Sequence, residues 1–179
     1  MSTRTTSTYG ADTSGLICGF LFDNGGEGKP LSTEEALSWL QQDALATSHA
    51  PGFVWLHFNL AHTAAEKWMR ENVTLSDQFY ESLRDSSRST RVELDDDMLV
   101  AVVNDVHYDF AFEPSDISTL WLSVGPRLVV SARLQPLRSI DRLRDAVKRG
   151  AKLSSSVELL VHLMHDQGDV LVNIVRSIT

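Results

Sequence analysis

Near the C-terminus, His162, His165, Asp166 and Asp169 stand at i, i+3, i+4 and i+7. On a helix this spacing puts two imidazoles and two carboxylates on one stripe, a donor set suited to zinc or a similar borderline ion. A neighbouring chain would supply any ligand still missing. Together with Glu158, Asn173 and Arg176, the same stripe also has the composition of the solvated face of an amphipathic helix. The acidic run Asp95-Asp96-Asp97 lacks the alternating oxygens of a calcium loop and reads as a hairpin tip. His57 and His62 bracket the end of one strand-like segment, while His107 and Asp109 close another. Each of these histidines suits a hydrogen-bonded structural role as well as a ligand. Arg84, Arg88, Arg91, Arg133, Arg138, Arg142 and Arg144 concentrate positive charge in an otherwise acidic chain. They fit an inorganic anion or an acidic neighbour, though those from Arg138 onward have Asp141 and Asp145 at short helical spacing.

Covalent chemistry has little to work with. Cys18 sits inside an apolar strand-like segment without an assigned partner, and no Gly-x-Ser-x-Gly elbow occurs. Gly25-Gly26-Glu27-Gly28-Lys29 has neither the spacing of a phosphate-binding loop nor the hydroxyl residue that should follow the lysine, so it reads as a flexible turn. A metal-dependent hydrolase would need three converging ligands, an open position for water and a general base. No such pattern is visible, and the chain reads as a non-enzyme with no required cofactor.

The elements that must position these groups follow from composition and periodicity. With 179 residues, 42% hydrophobic and 22% charged, the chain has the make-up of one globular domain. A net charge of -8 and a pI near 5.1 argue against nucleic acid as a partner. The single cysteine and the lack of a secretion-signal pattern suit a reducing cytosol. No stretch approaches the roughly 20 apolar residues that a membrane-spanning helix needs.

Residues 1–14 are Ser/Thr-rich and predict a disordered tail, followed by an α/β domain over 15–153 and a long terminal helix over 154–179. Gly15 to Phe22 reads as a strand and Asp23 to Pro30 as a loop. Ser32 with Glu35 marks a helix start, and Phe53-Val-Trp-Leu-His-Phe is a central strand. Helices are expected over Thr63 to Glu71 and Asp77 to Asp85. A hairpin follows, with arms Arg91 to Leu94 and Met98 to Tyr108, and another joins Ile117–Val124 to Arg127–Arg133 through Gly125-Pro126. Ile140 to Arg149 is helical, stopped by Gly150, and Ser155 with Glu158 opens the last helix. The fold class is α/β, with a mixed sheet layered between helices.

Taken in order, several segments resemble the cytosolic part of CorA-type divalent-metal transporters. They are Phe53-Val-Trp-Leu-His-Phe-Asn-Leu, Ser89-Thr-Arg-Val-Glu, Leu99-Val-Ala-Val-Val-Asn-Asp-Val, Thr119-Leu-Trp-Leu, Leu128-Val-Val-Ser-Ala-Arg, Pro136-Leu-Arg-Ser-Ile-Asp-Arg-Leu and Val157-Glu-Leu-Leu-Val-His-Leu. The Trp-Leu-His strand and the Ser-Arg-Ser-Thr-Arg-Val-Glu run look more like the zinc-transporter (ZntB) branch than the magnesium channels. This resemblance implies an α/β/α funnel domain whose terminal helix begins a stalk, in a homopentamer at the inner membrane. It implies zinc, or magnesium, as transported or regulatory ion, and a Gly-Met-Asn pore motif beyond Thr179. The chain would then be a cytoplasmic regulatory and assembly domain without the membrane part, with a stand-alone metal-sensing module as the alternative. An inter-subunit metal sensor of the magnesium branch would fall near Glu81 or Ser82 on one side and near His165, Asp166 or Asp169 on the other.

Overall fold

In a computed structural model, the described residues are 11–46, 48, 51–85, 89–106 and 117–178. His107, Asp109 and Arg88 lie outside them, as do residues 1–10 of the expected tail. The tail expectation fails at its end. Ala11 is 2% exposed, and the Asp12 carboxylate accepts hydrogen bonds from the backbone N–H of Ser14 and Leu16. A short polar side chain here satisfies the backbone of the turn that enters the first strand.

Among the described residues seven strands form one sheet: β1 (Leu16–Phe22), β2 (Gly28–Pro30), β3 (Phe53–Asn59), β4 (Arg91–Asp95), β5 (Met98–Val106), β6 (Ile117–Val124) and β7 (Leu128–Arg133). The helices described with them are α1 (Thr33–Leu45), α2 (Ala65–Asn72), α3 (Asp77–Arg84), α4 (Arg138–Lys148) and α5 (Ser156–Ile178). Strand order is β2-β1-β3-β7-β6-β5-β4. Only β3 and β7 pair in parallel, so the sheet is mixed as the sequence predicts. β2 is a correction to the expected loop. Its three residues return along Phe20–Phe22, and Pro30 is tolerated because β2 is an edge strand with no ladder beyond it.

Alternation along the strands divides the core in two. Phe20, Phe22, Trp55, Ala101, Leu120, Leu122 and Val129 pack with Ile140, Leu143, Val147, Leu159 and Leu163 of α4 and α5. Val54, Leu56, Phe58, Val100, Val102, Trp121 and Val130 pack with Ala36, Ala65, Met69 and Phe79 of α1, α2 and α3. The result is a three-layer α/β/α domain. A bulge between Leu16 and Cys18 shifts the face on which side chains emerge. Leu16 consequently joins the α1–α3 layer, while Cys18 packs against the α4–α5 layer.

Helix starts show how local chemistry fixes these layers. Ser32 and Glu35 form the expected capping box, with Ser32 Oγ accepting from Glu35 N and Glu35 accepting from Ser32 N. At the start of α5, Ser155 Oγ accepts from Glu158 N, and the Glu158 carboxylate accepts from Ser154 N at 2.6 Å. α4 begins after Leu137, which has no side chain able to cap. Its first-turn donors are met across space instead, by Asp105 of β5: Ser139 N donates to Asp105 Oδ2 at 2.9 Å, and Ser139 Oγ donates to the same oxygen.

Candidate functional site

α5 carries three faces. Leu159, Leu160, Leu163, Gln167 and Val170 are buried against the domain, and Gln167 Nε2 donates to the backbone oxygen of Asn104. The polar face holds all four expected metal ligands. Of these, His162 Nε2 and Asp166 Oδ2 meet at 3.6 Å. Burial pushes the Asp166 carboxyl above its ordinary range, against the pull of His162 and Arg142. His165 is exposed and Asp169 is exposed one turn beyond Asp166. Among the described residues no group of three or more His, Cys, Asp or Glu converges tightly enough to hold a metal ion. The stripe therefore offers one assembled pair and two flanking donors that point to solvent.

The third face is apolar and uncovered. Val157, Val161, Leu171 and Val175 are 46–60% exposed, with Met164 and Gly168 filling the same row. These six positions alternate steps of four and three, the spacing of a helix–helix seam.

The second sensor position lies across the sheet. Ser82 is consumed structurally: its Oγ donates to Phe79 O at 2.6 Å and its own carbonyl accepts from Trp121 Nε1 at 2.9 Å. Glu81 lines an open cleft with Gln78, Asp85, Arg91 and Glu93. Arg91 lies 3.3 Å from Asp85 and 3.6 Å from Glu93, offsetting the acidity of that cleft. Because α3 and α5 cover opposite faces of the sheet, Glu81 and the α5 stripe do not meet within one chain. Asp95 to Asp97 form the hairpin tip expected of them, with Asp96 at φ +52°.

His57 turns out to belong to a buried polar row that sequence spacing alone does not show. Cys18, His57 and Ser131 are register partners across β1, β3 and β7. Trp55 Nε1 donates to Ser131 Oγ at 2.8 Å, and His57 Nδ1 lies 2.8 Å from the same oxygen. Burial, then Arg133 and Arg144, hold the His57 pKa well below 6.5, so the ring is neutral. Burial pushes the Cys18 thiol up to about 11 against the pull of Arg144, which leaves it protonated and a poor nucleophile.

This three-layer domain, with its terminal helix presenting one apolar and one His/Asp face, defines an α/β/α module with a long C-terminal helix. The family described as CorA-like Mg2+ transporter protein matches residues 51–179, and the chain belongs to that family. It is similar to the divalent cation transporter CmaX of Pseudomonas aeruginosa, 25% identical over 168 residues that cover 90% of this chain and 48% of the relative. It is also similar to the zinc transport protein ZntB of Yersinia enterocolitica, 22% identical over 125 residues that cover 70% of this chain and 38% of that protein. The structure of full-length CmaX superposes with a TM-score of 0.76 at 24% identity, covering 94% of this chain and 50% of that one. The ZntB cytoplasmic domain from Vibrio parahaemolyticus gives 0.66 at 19% identity, covering 90% and 62%. The chain thus spans half or less of the full-length relatives it matches. Among the described residues no helix is long and apolar enough to cross a membrane.

Proposed function

We propose that this chain is the cytoplasmic portion of a divalent-cation transporter, and that it assembles with copies of itself to control ion passage through membrane helices that lie outside it. One observation carries the reading: nearly the whole chain follows the fold of one half of a full-length transporter, with a TM-score of 0.76 over 94% of its length. The uncovered apolar row on α5 supports self-association, because a helix face of this kind loses free energy while it stays in water. Zinc is the ion best matched to the His162–Asp166 pair, and a second subunit would complete its ligands. A homopentamer is the assembly that the family resemblance implies. No catalysis is part of this reading.

The test is a chimera. This chain replaces the corresponding half of CmaX, the fusion is reconstituted in liposomes, and zinc and magnesium entry are followed with an internal dye. Flux comparable to that of CmaX is the expected result, with zinc control altered by His162→Ala. A chimera that forms oligomers of the parent size and inserts in the bilayer, yet passes neither ion, would refute the proposal.

A further inference from the structure

A second site lies inside the domain, between the sheet and α4. Arg133 of β7 is 5% exposed, and among the described residues its side chain makes no ion pair and no hydrogen bond, with its Nε buried and unpartnered. Arg144 of α4 pairs with Asp141 at 2.8 Å through one Nη, but its Nε is likewise buried without a partner. The third orphan is His57 Nε2, on a residue with no exposure.

The protonation of His57 follows from its neighbours. Trp55 Nε1 can only donate, so Ser131 Oγ accepts from it. The remaining hydrogen of the Ser131 hydroxyl has His57 Nδ1 within reach at 2.8 Å. With Ser131 donating to Nδ1, the neutral ring carries its hydrogen on Nε2. All three orphans are then donors, two of them on guanidinium groups that remain charged. Three buried N–H groups with no acceptor cost several times what one satisfied bond contributes.

Of the three residues, Arg144 also lines a surface cleft. Cys18, Arg144 and Lys148 form part of the wall of a cleft of about 680 Å³ at the open edge of β1, where β2 pairs only with Phe20–Phe22. Lys148 adds a third positive charge at the mouth. Three carboxylates stand nearby: Asp141, held by Arg144, Glu35 on the cleft wall, engaged in the α1 capping box, and Asp12 on the same wall, which accepts from Ser14 and Leu16 N–H. Among the described residues only Asp141 of these pairs with a guanidinium of the site, and its partner is Arg144, not Arg133.

From this arrangement we infer that the domain binds a small inorganic oxyanion, of the phosphate or sulfate class, between Arg133, Arg144 and His57, entered past Lys148. A tetrahedral oxyanion offers acceptors in several directions to guanidinium edges and to the imidazole N–H. This binding is separate from cation transport and does not rest on it.

Thermal unfolding and calorimetric titration of the isolated protein test the inference, with sodium phosphate and sodium sulfate compared against sodium chloride at equal ionic strength. Phosphate or sulfate is expected to raise Tm by about 5 °C once it stands a hundredfold above its Kd. Arg133→Met abolishes that rise. Should Arg133→Met fail to fold, Lys148→Glu at the exposed mouth decides instead, weakening binding by roughly tenfold through charge alone. Equal Tm values in all three salts overturn the proposal, as does undiminished phosphate binding in either variant.

Discussion

Asp105 does from a neighbouring strand what Leu137 is unable to do at the start of α4. Its carboxylate accepts from Ser139 N, Ser139 Oγ and Val106 N, yet burial wins and raises its pKa above the ordinary 3.8. For an acid whose folded pKa is raised, the folded state holds its proton more tightly than the unfolded one. That contribution to stability is full below pH 3.8 and is lost as pH rises through the folded pKa. Asp105→Asn should flatten the stability profile above pH 3.8, measured as urea midpoints across the acid range. Asp105→Ala leaves the α4 terminus uncapped and should cost about 2 kcal/mol at neutral pH. None of this cap is legible in the sequence, where Asp105 sits far from Ser139 and only the closed sheet joins them. The same holds for the Cys18–His57–Ser131 row. His57 and Cys18 stand out as residue types, but strand register and the bulge at β1 decide what they face.

At the scale of elements, the sequence is far more informative. Both Ser-x-x-Glu patterns, Ser32/Glu35 and Ser155/Glu158, cap helices where expected, because a cap is made within one turn and needs no knowledge of the rest of the chain. β2 escapes such reading since three residues carry no usable period, and its pairing depends on where the chain after Gly26 is forced to go. Gly26 adopts φ +70° beside Leu153, which favours glycine at that turn. Gly168 is the opposite case. It lies in the middle of α5, and a Cβ added there meets nothing within 4 Å. Gly168→Ala should therefore stabilise the isolated domain by about 0.5–1 kcal/mol, read from chemical unfolding. Because Gly168 shares the uncovered row with Val161 and Leu171, the same methyl should weaken any close helix–helix approach, visible as a smaller mass in light scattering.

Over the whole molecule, fold class and sheet type were legible while strand order was not. Hairpins announce themselves through Gly125-Pro126 and Asp95 to Asp97, but nothing local states that β3 takes β7 as its partner. The His/Asp stripe was legible as a spacing, while the fact that only His162 and Asp166 of it come together was not, because that depends on rotamers and packing rather than on sequence interval. Self-association is the matching prediction at this scale. Val161→Glu with Val175→Glu should leave the circular dichroism and Tm of the domain nearly unchanged, since both side chains are at least half exposed. Sedimentation should then show a monomer at concentrations where the parent protein associates.

The single parallel seam between β3 and β7 also sets a timetable for synthesis. Once β1 to β3 have left the ribosome, Phe53–Asn59 presents an open, mostly apolar edge whose partner has not yet been made. At roughly 5–20 residues per second the wait for Leu128–Arg133 lasts several seconds. Throughout that interval the half-built sheet is sticky toward any other extended chain. Expression yield should consequently respond to elongation rate across residues 60–127 more than to codons on either side, a cost the finished domain no longer shows.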